Sequence, residues 1–478
     1  MALDGLSADG MGAILAKQKA AHIRDGIPSA AQREAWIDKS IDLLVTHGDA
    51  LAQAMAEDFG HRSVDQSNLT DIAGSIGALK FSKKHMRKWM RPEKRGVEFP
   101  LGLLGSKAQI QYQPKGSIGI ISPWNFPVNL TFAPLANVFA AGNRAMIKPS
   151  EFTEKTSELM AELIAKYYSE EEVAVVTGGP DVGASFTQLP FDHIVFTGAT
   201  SIAHHVMRAA ADNLVPLTLE LGGKSPVVLG KSADVQKAAS RIMAGKTLNA
   251  GQICLAPDYA FVPEEKTGEF VGAAQAAVGK MFADGLKDND DYTSIVNQRH
   301  YERLNSYLDD AREKGAEVVE INPQNENFSQ QPHHKMAPHI VLNPTDDMKV
   351  MQDEIFGPIL PLKSYNDTKD AVAYINDNPR PLGLYYFGDD ANEREMVLNN
   401  TTSGGVTVND VIFHVAQEDL PFGGVGPSGM GAYHGRDGFY EFSHKKAIYT
   451  QTGSELLAMM RPPYGDKFRK QVQGRIKK

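Results

Sequence analysis

Short apolar runs alternate with segments of helical periodicity through the middle of the chain. The runs lie at residues 118–121, 145–147, 174–176, 193–196 and 217–219, and a helical pattern separates most of them. Short strands that are apolar on both faces are typical of a parallel sheet covered by helices on both sides. The pattern therefore predicts an α/β domain whose ligands bind beyond the carboxyl ends of the strands.

A second series of the same kind follows from residue 226. Helical segments separate predicted strands at residues 226–229, 258–262, 339–342, 359–362 and 384–387. This series predicts a second α/β domain. We place the join at residues 221–224, because the paired glycines Gly222 and Gly223 permit a sharp connection.

The chain before these two series has a different pattern. Residues 8–58 and 66–92 show helical periodicity, whereas residues 107–113 alternate apolar side chains with Lys and Gln. Strict alternation predicts a strand with one wet face. We expect this strand to belong to an exposed arm, since an unpaired strand edge is a template for pairing with another chain.

Charge and local sequence argue against two kinds of partner, nucleic acid and the membrane. The 478 residues carry 49 basic and 58 acidic side chains, and this mildly acidic balance gives no reason to expect nucleic acid. No charged residue occurs from 116 to 143, a length that mimics a membrane span, but the prolines and asparagines inside it favour a strand, a turn and a helix near residues 133–141. We expect no membrane association and no signal peptide, and a cytoplasmic location.

Cys254 is the only cysteine in the sequence. A lone thiol cannot form an internal disulfide, and structural zinc sites use more than one sulfur. Cys254 is therefore either a buried small hydrophobe or a reactive nucleophile. The adjacent His204 and His205 point in different directions on a helix, so we expect surface histidines and no metal site. His414 is either a packing histidine or part of a substrate tunnel.

Seven motifs in order resemble the aldehyde dehydrogenase superfamily over nearly the whole chain. They lie at residues 123–127, 148–151, 196–198, 220–224, 251–254, 354–358 and 421–424. The Lys-Pro-Ser-Glu sequence at 148–151 and the Arg-Pro-Pro-Tyr sequence at 461–464 resemble the class 3 branch. Residues 414–421 are most similar to bacterial coniferyl aldehyde dehydrogenases.

The resemblance implies an α/β, aldehyde dehydrogenase-like fold with three parts. The expected Rossmann-type NAD-binding domain covers residues 1–105 and 115–221, and the α/β catalytic domain covers 222–420. A small β oligomerisation arm is expected at 106–114 and 440–455, with a C-terminal tail at 456–478. As in class 3, we expect a homodimer.

The resemblance also assigns the catalytic residues. It implies that the Cys254 thiolate attacks an aldehyde, that Asn125 and the Cys254 N–H stabilise the oxyanion, and that Glu220 is the general base. The alternative for Glu220 is a solvated carboxylate at a strand end. A glutamate there favours hydrolysis of the thioester over transfer to coenzyme A.

The implied substrate is an aromatic, coniferaldehyde-like aldehyde. Medium-chain aliphatic or benzaldehyde-type substrates stay open, and a coenzyme A-acylating enzyme or a catalytically silent relative is less favoured. The implied cofactor is NAD, with use of NADP left open. Its predicted contacts are Pro123, Trp124, Lys148, Ser150, Glu151, Gly198, Leu221, Glu354 and Phe356. Ala203 stands where the family often has glycine.

Overall fold

The computed structural model describes residues 3–4, 7–99, 101–452, 458 and 460–477. Within the predicted nucleotide domain, positions 1, 2, 5, 6 and 100 lie outside the described residues. So do 453–455 of the predicted arm and 456, 457, 459 and 478 of the predicted tail. The chain divides into two compact units, one of Met1–Trp89 with Pro114–Ser443 and one of Met90–Gln113 with His444–Lys478.

The described α-helices, in chain order, are α1 Ala8–Asp25, α2 Ala30–Asp58, α3 Val64–Ser67, α4 Gly74–Trp89, α5 Asn129–Ala141, α6 Glu154–Tyr167, α7 Pro180–Thr187, α8 Thr200–Ala211, α9 Val235–Thr247, α10 Thr267–Met281, α11 Gln298–Glu313, α12 Lys349–Gln352, α13 Thr368–Asp377, α14 Ala391–Asn400, α15 Gly435–Glu441 and α16 Asp466–Ile476. A π-helical segment, Asn68–Ala73, joins α3 to α4. Among these described helices, none combines the length and the apolar character needed to cross a bilayer.

The described strands are β1 Leu3–Asp4, β2 Glu93–Arg95, β3 Lys107–Pro114, β4 Ser117–Ile121, β5 Arg144–Lys148, β6 Val173–Thr177, β7 His193–Thr197, β8 Leu217–Glu220, β9 Pro226–Leu229, β10 Tyr259–Pro263, β11 Glu317–Glu320, β12 His339–Leu342, β13 Ile359–Tyr365, β14 Gly383–Phe387, β15 Gly405–Val408, β16 Gly429–Met430 and β17 Ser443–Thr450. They form two seven-stranded sheets and one three-stranded sheet.

The first sheet has the order β1-β6-β5-β4-β7-β8-β16. The strands from β6 to β8 in that order are parallel, which confirms the sheet type predicted from their apolar runs. From β4 the chain runs outward to β5 and β6, and it then returns to add β7 on the other side. The gap between the carboxyl ends of β4 and β7 is therefore the switch point, where ligands of such sheets bind.

The second sheet has the order β11-β12-β13-β10-β9-β14-β15, with only β11 antiparallel to its neighbour. Alternate residues of β10 face opposite sides, so Ala260 and Val262 pack in one apolar core while Tyr259 and Phe261 pack in another. Both faces are thus buried, as the apolar runs predicted.

A short stretch of chain joins the two large sheets. β8 ends at Glu220 and β9 begins at Pro226, so the carboxyl edge of the first sheet leads directly to the amino edge of the second. The loop with Cys254 precedes β10, which also begins at that amino edge because it is parallel to β9. The topology therefore directs Glu220 and Cys254 toward the same region.

The three-stranded sheet places β3 between β17 and β2. β2 lies within residues 1–105, which the resemblance assigned to the nucleotide-binding domain, and it pairs antiparallel with β3. Most side chains of β17 are exposed, as an arm requires. Assembly through this sheet stays a prediction.

Two helical segments differ from their predicted form. The helix predicted near residues 133–141 begins four residues earlier at Asn129, because Asp71 Oδ1 accepts the N–H groups of Val128 and Asn129 at 3.1 Å each. The helix predicted from residue 66 contains the π-helical turn that carries Asp71. The first difference depends on a contact between residues almost sixty positions apart.

Candidate active site

Asn125 lies in the turn after β4, at the switch point of the first sheet. Its side chain is buried, and Nδ2 donates a hydrogen bond to the backbone carbonyl of Gln252 at 3.1 Å. Its own backbone carbonyl accepts hydrogen bonds from Arg62 Nη1 at 2.6 Å and Asn249 Nδ2 at 3.1 Å. These bonds fasten the turn to the segment before Cys254. An amide has two N–H donors, so the second can serve a ligand.

The turn before Cys254 has a strained backbone. Asn249, Ala250 and Gly251 have φ angles of 47°, 50° and 71°. This left-handed region costs an L-residue roughly 1–2 kcal/mol. Gly251 is required, because a Cβ there would lie 2.5 Å from the carbonyl oxygen of Gly357. Strain of this kind persists where surrounding contacts over-determine it, and it clusters at active sites.

Gln252 supplies those contacts from the centre of the motif. Its Nε2 donates to the carbonyls of Asn249 and Ser294, each at 3.0 Å, and its Oε1 accepts from the N–H of Val296 at 2.9 Å. The side chain is fully buried. Gln252 therefore anchors the turn that presents Cys254.

Glu220 ends β8 with a buried carboxylate that is 1% exposed. Neither carboxylate oxygen has a hydrogen-bond partner among the described residues. Burial, and then the negative charge of Glu354, raise the pKa of Glu220 well above its usual range. The solvated strand-end alternative is thus wrong. When such a buried carboxyl group with a raised pKa is ionised, it is a stronger base than a solvated carboxylate toward a bound molecule.

Cys254 is partly exposed in the same electrostatic environment. Burial, followed by the charges of Glu220 and Glu354, raises the pKa of its thiol, and the N–H groups of Cys254 and Leu255 oppose that shift. The thiol is therefore neutral at rest and needs a base before it can attack. Of the two carboxylates, Glu220 has the larger effect on it.

Glu354 lies beside the connection between the two sheets. Its Oε1 is buried without a partner among the described residues, and a Cβ added to Gly222 would lie 2.2 Å from that oxygen. Burial, and then the charge of Asp258, raise the pKa of Glu354 to about 8. A buried acceptor beside a bare glycine fits a hydroxyl-bearing ligand such as a nucleotide ribose.

Lys148, Ser150 and Glu151 follow the carboxyl end of β5. The Lys148 ammonium is buried, donates to the carbonyl of Pro149 at 2.8 Å and lies 3.5 Å from Glu151 Oε2. Glu151 is exposed, and Ser150 Oγ accepts the N–H of Phe152 at 3.2 Å. Burial lowers the pKa of Lys148, against the charge of Glu151. Lys148 and Glu151 thus form a polar pair in which Lys148 is buried and the exposed Glu151 carboxylate is accessible to a ligand.

Gly198 precedes α8, whose free N–H groups favour an anion. A Cβ at Gly198 would lie 2.7 Å from the ring of Phe196, so glycine is required there. The Ala203 methyl group packs in the apolar core with Leu221, on the buried side of the helix. Together with the unpaired Glu354 oxygen, these features fit a nicotinamide dinucleotide.

The remaining predicted cofactor contacts form an aromatic border. The Trp124 ring packs edge-on against Phe356, with centroids 5.2 Å apart, and lies 5.3 Å from the His300 ring. Phe356 has a φ of 49°, and Pro123 is half-buried at the end of β4. Trp124 therefore packs on the Glu354 side of the site.

Several buried polar residues near the site were not found from the sequence. Tyr433 is fully buried, and burial, followed by the charges of Glu220 and Cys254, raises the pKa of its phenol. The Lys246 ammonium is fully buried without a partner among the described residues, and burial lowers its pKa to about 8. Tyr433 follows the motif at residues 421–424 along the chain, and this was the one available signal. Lys246 lies in an ordinary helical pattern, so no sequence signal distinguishes it from a solvated lysine.

The predicted histidines differ in environment. His204 and His205 are exposed on α8, as expected. His414 Nδ1 lies 2.8 Å from Thr407 Oγ1, while its buried Nε2 has no partner within the described part of the chain. Across the described residues, no group of three or more His, Cys, Asp or Glu side chains is arranged to hold a metal.

Comparison with known proteins agrees with this geometry. Residues 11–448 match the model of the aldehyde dehydrogenase family. A "probable coniferyl aldehyde dehydrogenase" of Caulobacter vibrioides is 62% identical, over 98% of this chain and 97% of that protein. A coniferyl aldehyde dehydrogenase of Pseudomonas sp. is 51% identical, over 96% of this chain and 95% of that protein.

Solved structures show the same fold. The substrate-bound state of AldH from Staphylococcus aureus superposes with a TM-score of 0.91 at 34% identity, covering 98% of this chain and 99% of that one. An NAD-dependent aldehyde dehydrogenase from Sinorhizobium meliloti superposes with a TM-score of 0.83 at 25% identity, covering 94% and 88%. An NADP-dependent enzyme of E. coli has a TM-score of 0.84 at 25% identity, with 93% and 90% covered.

Proposed function

This chain belongs to the aldehyde dehydrogenase family, and from that premise we propose that it oxidises a coniferaldehyde-type aromatic aldehyde to the carboxylic acid. Enzymes of this family oxidise aldehydes with a nicotinamide cofactor. The observation that carries the proposed roles is electrostatic. The charge of the unpaired, buried Glu220 carboxylate acts on the thiol of Cys254.

The first step makes a covalent adduct. Cys254 loses its proton to a base, for which Glu220 is the candidate, and its sulfur adds to the aldehyde carbon. The carbonyl electron pair moves onto oxygen and creates an oxyanion. Asn125 Nδ2 and the Cys254 N–H are the proposed donors to that oxygen. One such donor contributes about 3–4 kcal/mol to the barrier in other enzymes.

The second step oxidises the adduct. A bound nicotinamide cofactor would supply the hydride acceptor for this oxidation. Glu354 and Phe356 are the proposed contacts of its ribose, and Pro123, Trp124 and Leu221 border it. Lys148, Ser150 and Glu151 are the proposed contacts of the adenosine ribose, with Gly198 at the pyrophosphate. The oxyanion re-forms its C=O bond, which leaves an acyl thioester on Cys254.

The third step releases the acid. Glu220 first releases the proton of Cys254 to solvent. It then takes a proton from a water molecule, whose oxygen adds to the thioester carbon, and the Cys254 sulfur leaves with its bonding pair and recovers a proton from Glu220. The net reaction consumes an aldehyde, water and oxidised cofactor, and it forms an acid, reduced cofactor and a proton. The base at Glu220 favours this hydrolysis over a coenzyme A acceptor and over a silent relative.

The names of the two relatives described above support the coniferaldehyde assignment. A panel of coniferaldehyde, benzaldehyde and hexanal tests it through the absorbance of reduced cofactor. We expect kcat/KM for coniferaldehyde to exceed that for hexanal at least tenfold. An equal or higher value for hexanal would contradict the aromatic assignment and favour a medium-chain aliphatic substrate.

NAD is the proposed cofactor, and NADP is a proposed second one. Glu151 is exposed and paired at 3.5 Å with Lys148, so the site offers both a carboxylate for a ribose hydroxyl and a cation for a phosphate. Steady-state kinetics with both cofactors test this. A hundredfold preference for NADP would refute it.

The proposed homodimer and the proposed cytoplasmic location rest on two separate observations. The exposed side chains of β17 support a homodimer formed through the three-stranded sheet. Light scattering at micromolar concentration tests it, and a monomer would count against it. The single cysteine supports a reducing compartment such as the cytoplasm, which fractionation of the native cells tests.

A further inference from the structure

A buried ion pair stands behind the Asn125 turn. Arg62 and Asp71 are 2% and 0% exposed, and Arg62 Nη2 donates to Asp71 Oδ2 at 2.7 Å. The Arg62 guanidinium also lies between two aromatic rings, 4.9 Å from the centroid of Phe59 and 5.2 Å from that of Phe126. Buried ion pairs are expensive to desolvate, so their presence is weak evidence for a stabilising role. The place of the Arg62–Asp71 pair behind the Asn125 turn indicates a role in the site.

Both remaining nitrogens of this arginine also donate hydrogen bonds. Nη1 donates to the backbone carbonyl of Asn125 at 2.6 Å, and Nε donates to Ser67 Oγ at 3.1 Å. The planar fork of an arginine fixes its partners in direction as well as distance. Rotation of the Asn125 peptide would break the bond to Nη1, so the position of Arg62 sets the orientation of that peptide.

Asp71 fixes the other side of the same turn. Its Oδ1 accepts the N–H groups of Val128 and Asn129 at 3.1 Å each, at the start of α5. Asp71 lies in the π-helical segment, a wide turn that often occurs at functional sites. The carboxylate and the guanidinium thus hold residues 125–129 at both ends.

We propose that Arg62 and Asp71 act as positioning residues, which hold Asn125 so that its side-chain amide meets the oxyanion formed on the Cys254 adduct. This inference rests on the proposed role of Asn125. Arg62 does not touch the substrate in this scheme. Its effect passes through the Asn125 carbonyl, and a displacement of about 1 Å at a reacting group can cost on the order of a hundredfold in rate.

The test is a double-mutant cycle on the rate of the pre-steady-state burst of reduced cofactor. Asn125→Ala removes the amide but keeps the backbone carbonyl that Arg62 contacts. We expect Arg62→Met to slow the burst by about ten- to a hundredfold in the parent and by less than about threefold in the Asn125→Ala background. We expect the Kd for NAD to stay within about twofold.

Arg33→Met is the matched control. Arg33 is also 2% exposed, and its Nη1 donates to the backbone carbonyl of Ala140 at 2.7 Å, near the opposite end of α5. This variant loses a comparable buried hydrogen bond to a backbone carbonyl, but on α5 itself and away from the Asn125 turn. We expect it to lower the melting temperature without changing the burst rate.

The outcomes separate the two hypotheses. An equal slowing by Arg62→Met in both backgrounds overturns the positioning role and leaves the catalytic scheme intact. A normal burst in Asn125→Ala overturns the oxyanion role of Asn125 and this inference with it. If Arg62→Met does not fold, Arg62→Lys replaces it in the cycle, and the same dependence on Asn125 is required.

Discussion

Replacing Glu220 with glutamine should separate the two halves of the reaction. The carboxylate is 1% exposed and unpaired among the described residues, so an amide of equal size can take its place without losing a hydrogen bond. Glutamine cannot accept a proton from water at neutral pH. The covalent adduct should then form if another base, such as Glu354, deprotonates the thiol, while the thioester persists.

The size of the effect follows from the role of a general base. Such a group contributes about 10²–10⁴-fold, which corresponds to about 2.7–5.4 kcal/mol of barrier at 1.36 kcal/mol per tenfold. We expect kcat for Glu220→Gln to fall by that factor. If Glu220 deprotonates only the water, an equimolar burst of reduced cofactor should remain. If it also deprotonates Cys254, the burst should slow in parallel.

The same substitution, Glu220→Gln, should lower kcat but increase the free energy of unfolding at high pH. Because folding raises the pKa of Glu220, its favourable contribution is complete below the unfolded carboxyl pKa of about 4.3 and is lost as pH rises toward the folded value. Glutamine has no such loss. The free energy of unfolding of the variant, relative to the parent, should therefore increase with pH over that window.

Stopped-flow absorbance of reduced cofactor and urea unfolding at several pH values measure both effects. Cys254→Ala is the control for the burst, since it cannot form the thioester. Full steady-state turnover together with a normal burst in Glu220→Gln would refute the role of Glu220 as base. A variant less stable than the parent at high pH would refute the account of its burial.

Further predictions concern the cofactor and the nucleophile. Because burial raises the pKa of Glu354 to about 8, NAD should bind more tightly as pH rises through that value, and Glu354→Gln should bind with no such dependence in a fluorescence titration. Gly222→Ala places a Cβ 2.2 Å from Glu354 Oε1 and should weaken NAD binding about tenfold, whereas unchanged binding would place the ribose elsewhere. Lys148→Met should raise KM for NADP more than KM for NAD, and an equal rise would argue against a phosphate contact. Cys254→Ala should abolish oxidation and all thiol labelling while NAD still binds.

Much of the architecture could be predicted from local pattern. Apolar runs such as residues 118–121 identify strands buried on both faces, and a parallel sheet is the arrangement that buries them. The positions of Asn125 and Glu220 after such runs placed both residues at strand carboxyl ends. The roles of Cys254, Glu220 and Asn125 came from resemblance, since a lone cysteine by itself left two interpretations open.

The site's supporting residues depend on contacts that only the folded chain makes. Arg62 lies 63 positions before Asn125, and Gln252 lies 127 positions after it, so no periodicity relates them. The early start of α5 at Asn129 likewise depends on Asp71. Side-chain patterning is a local property that determines which faces are buried. Hydrogen bonds to backbone carbonyls and the shifted pKa values of Glu220 and Cys254 depend on which distant groups share a desolvated space, and the tertiary structure alone decides that.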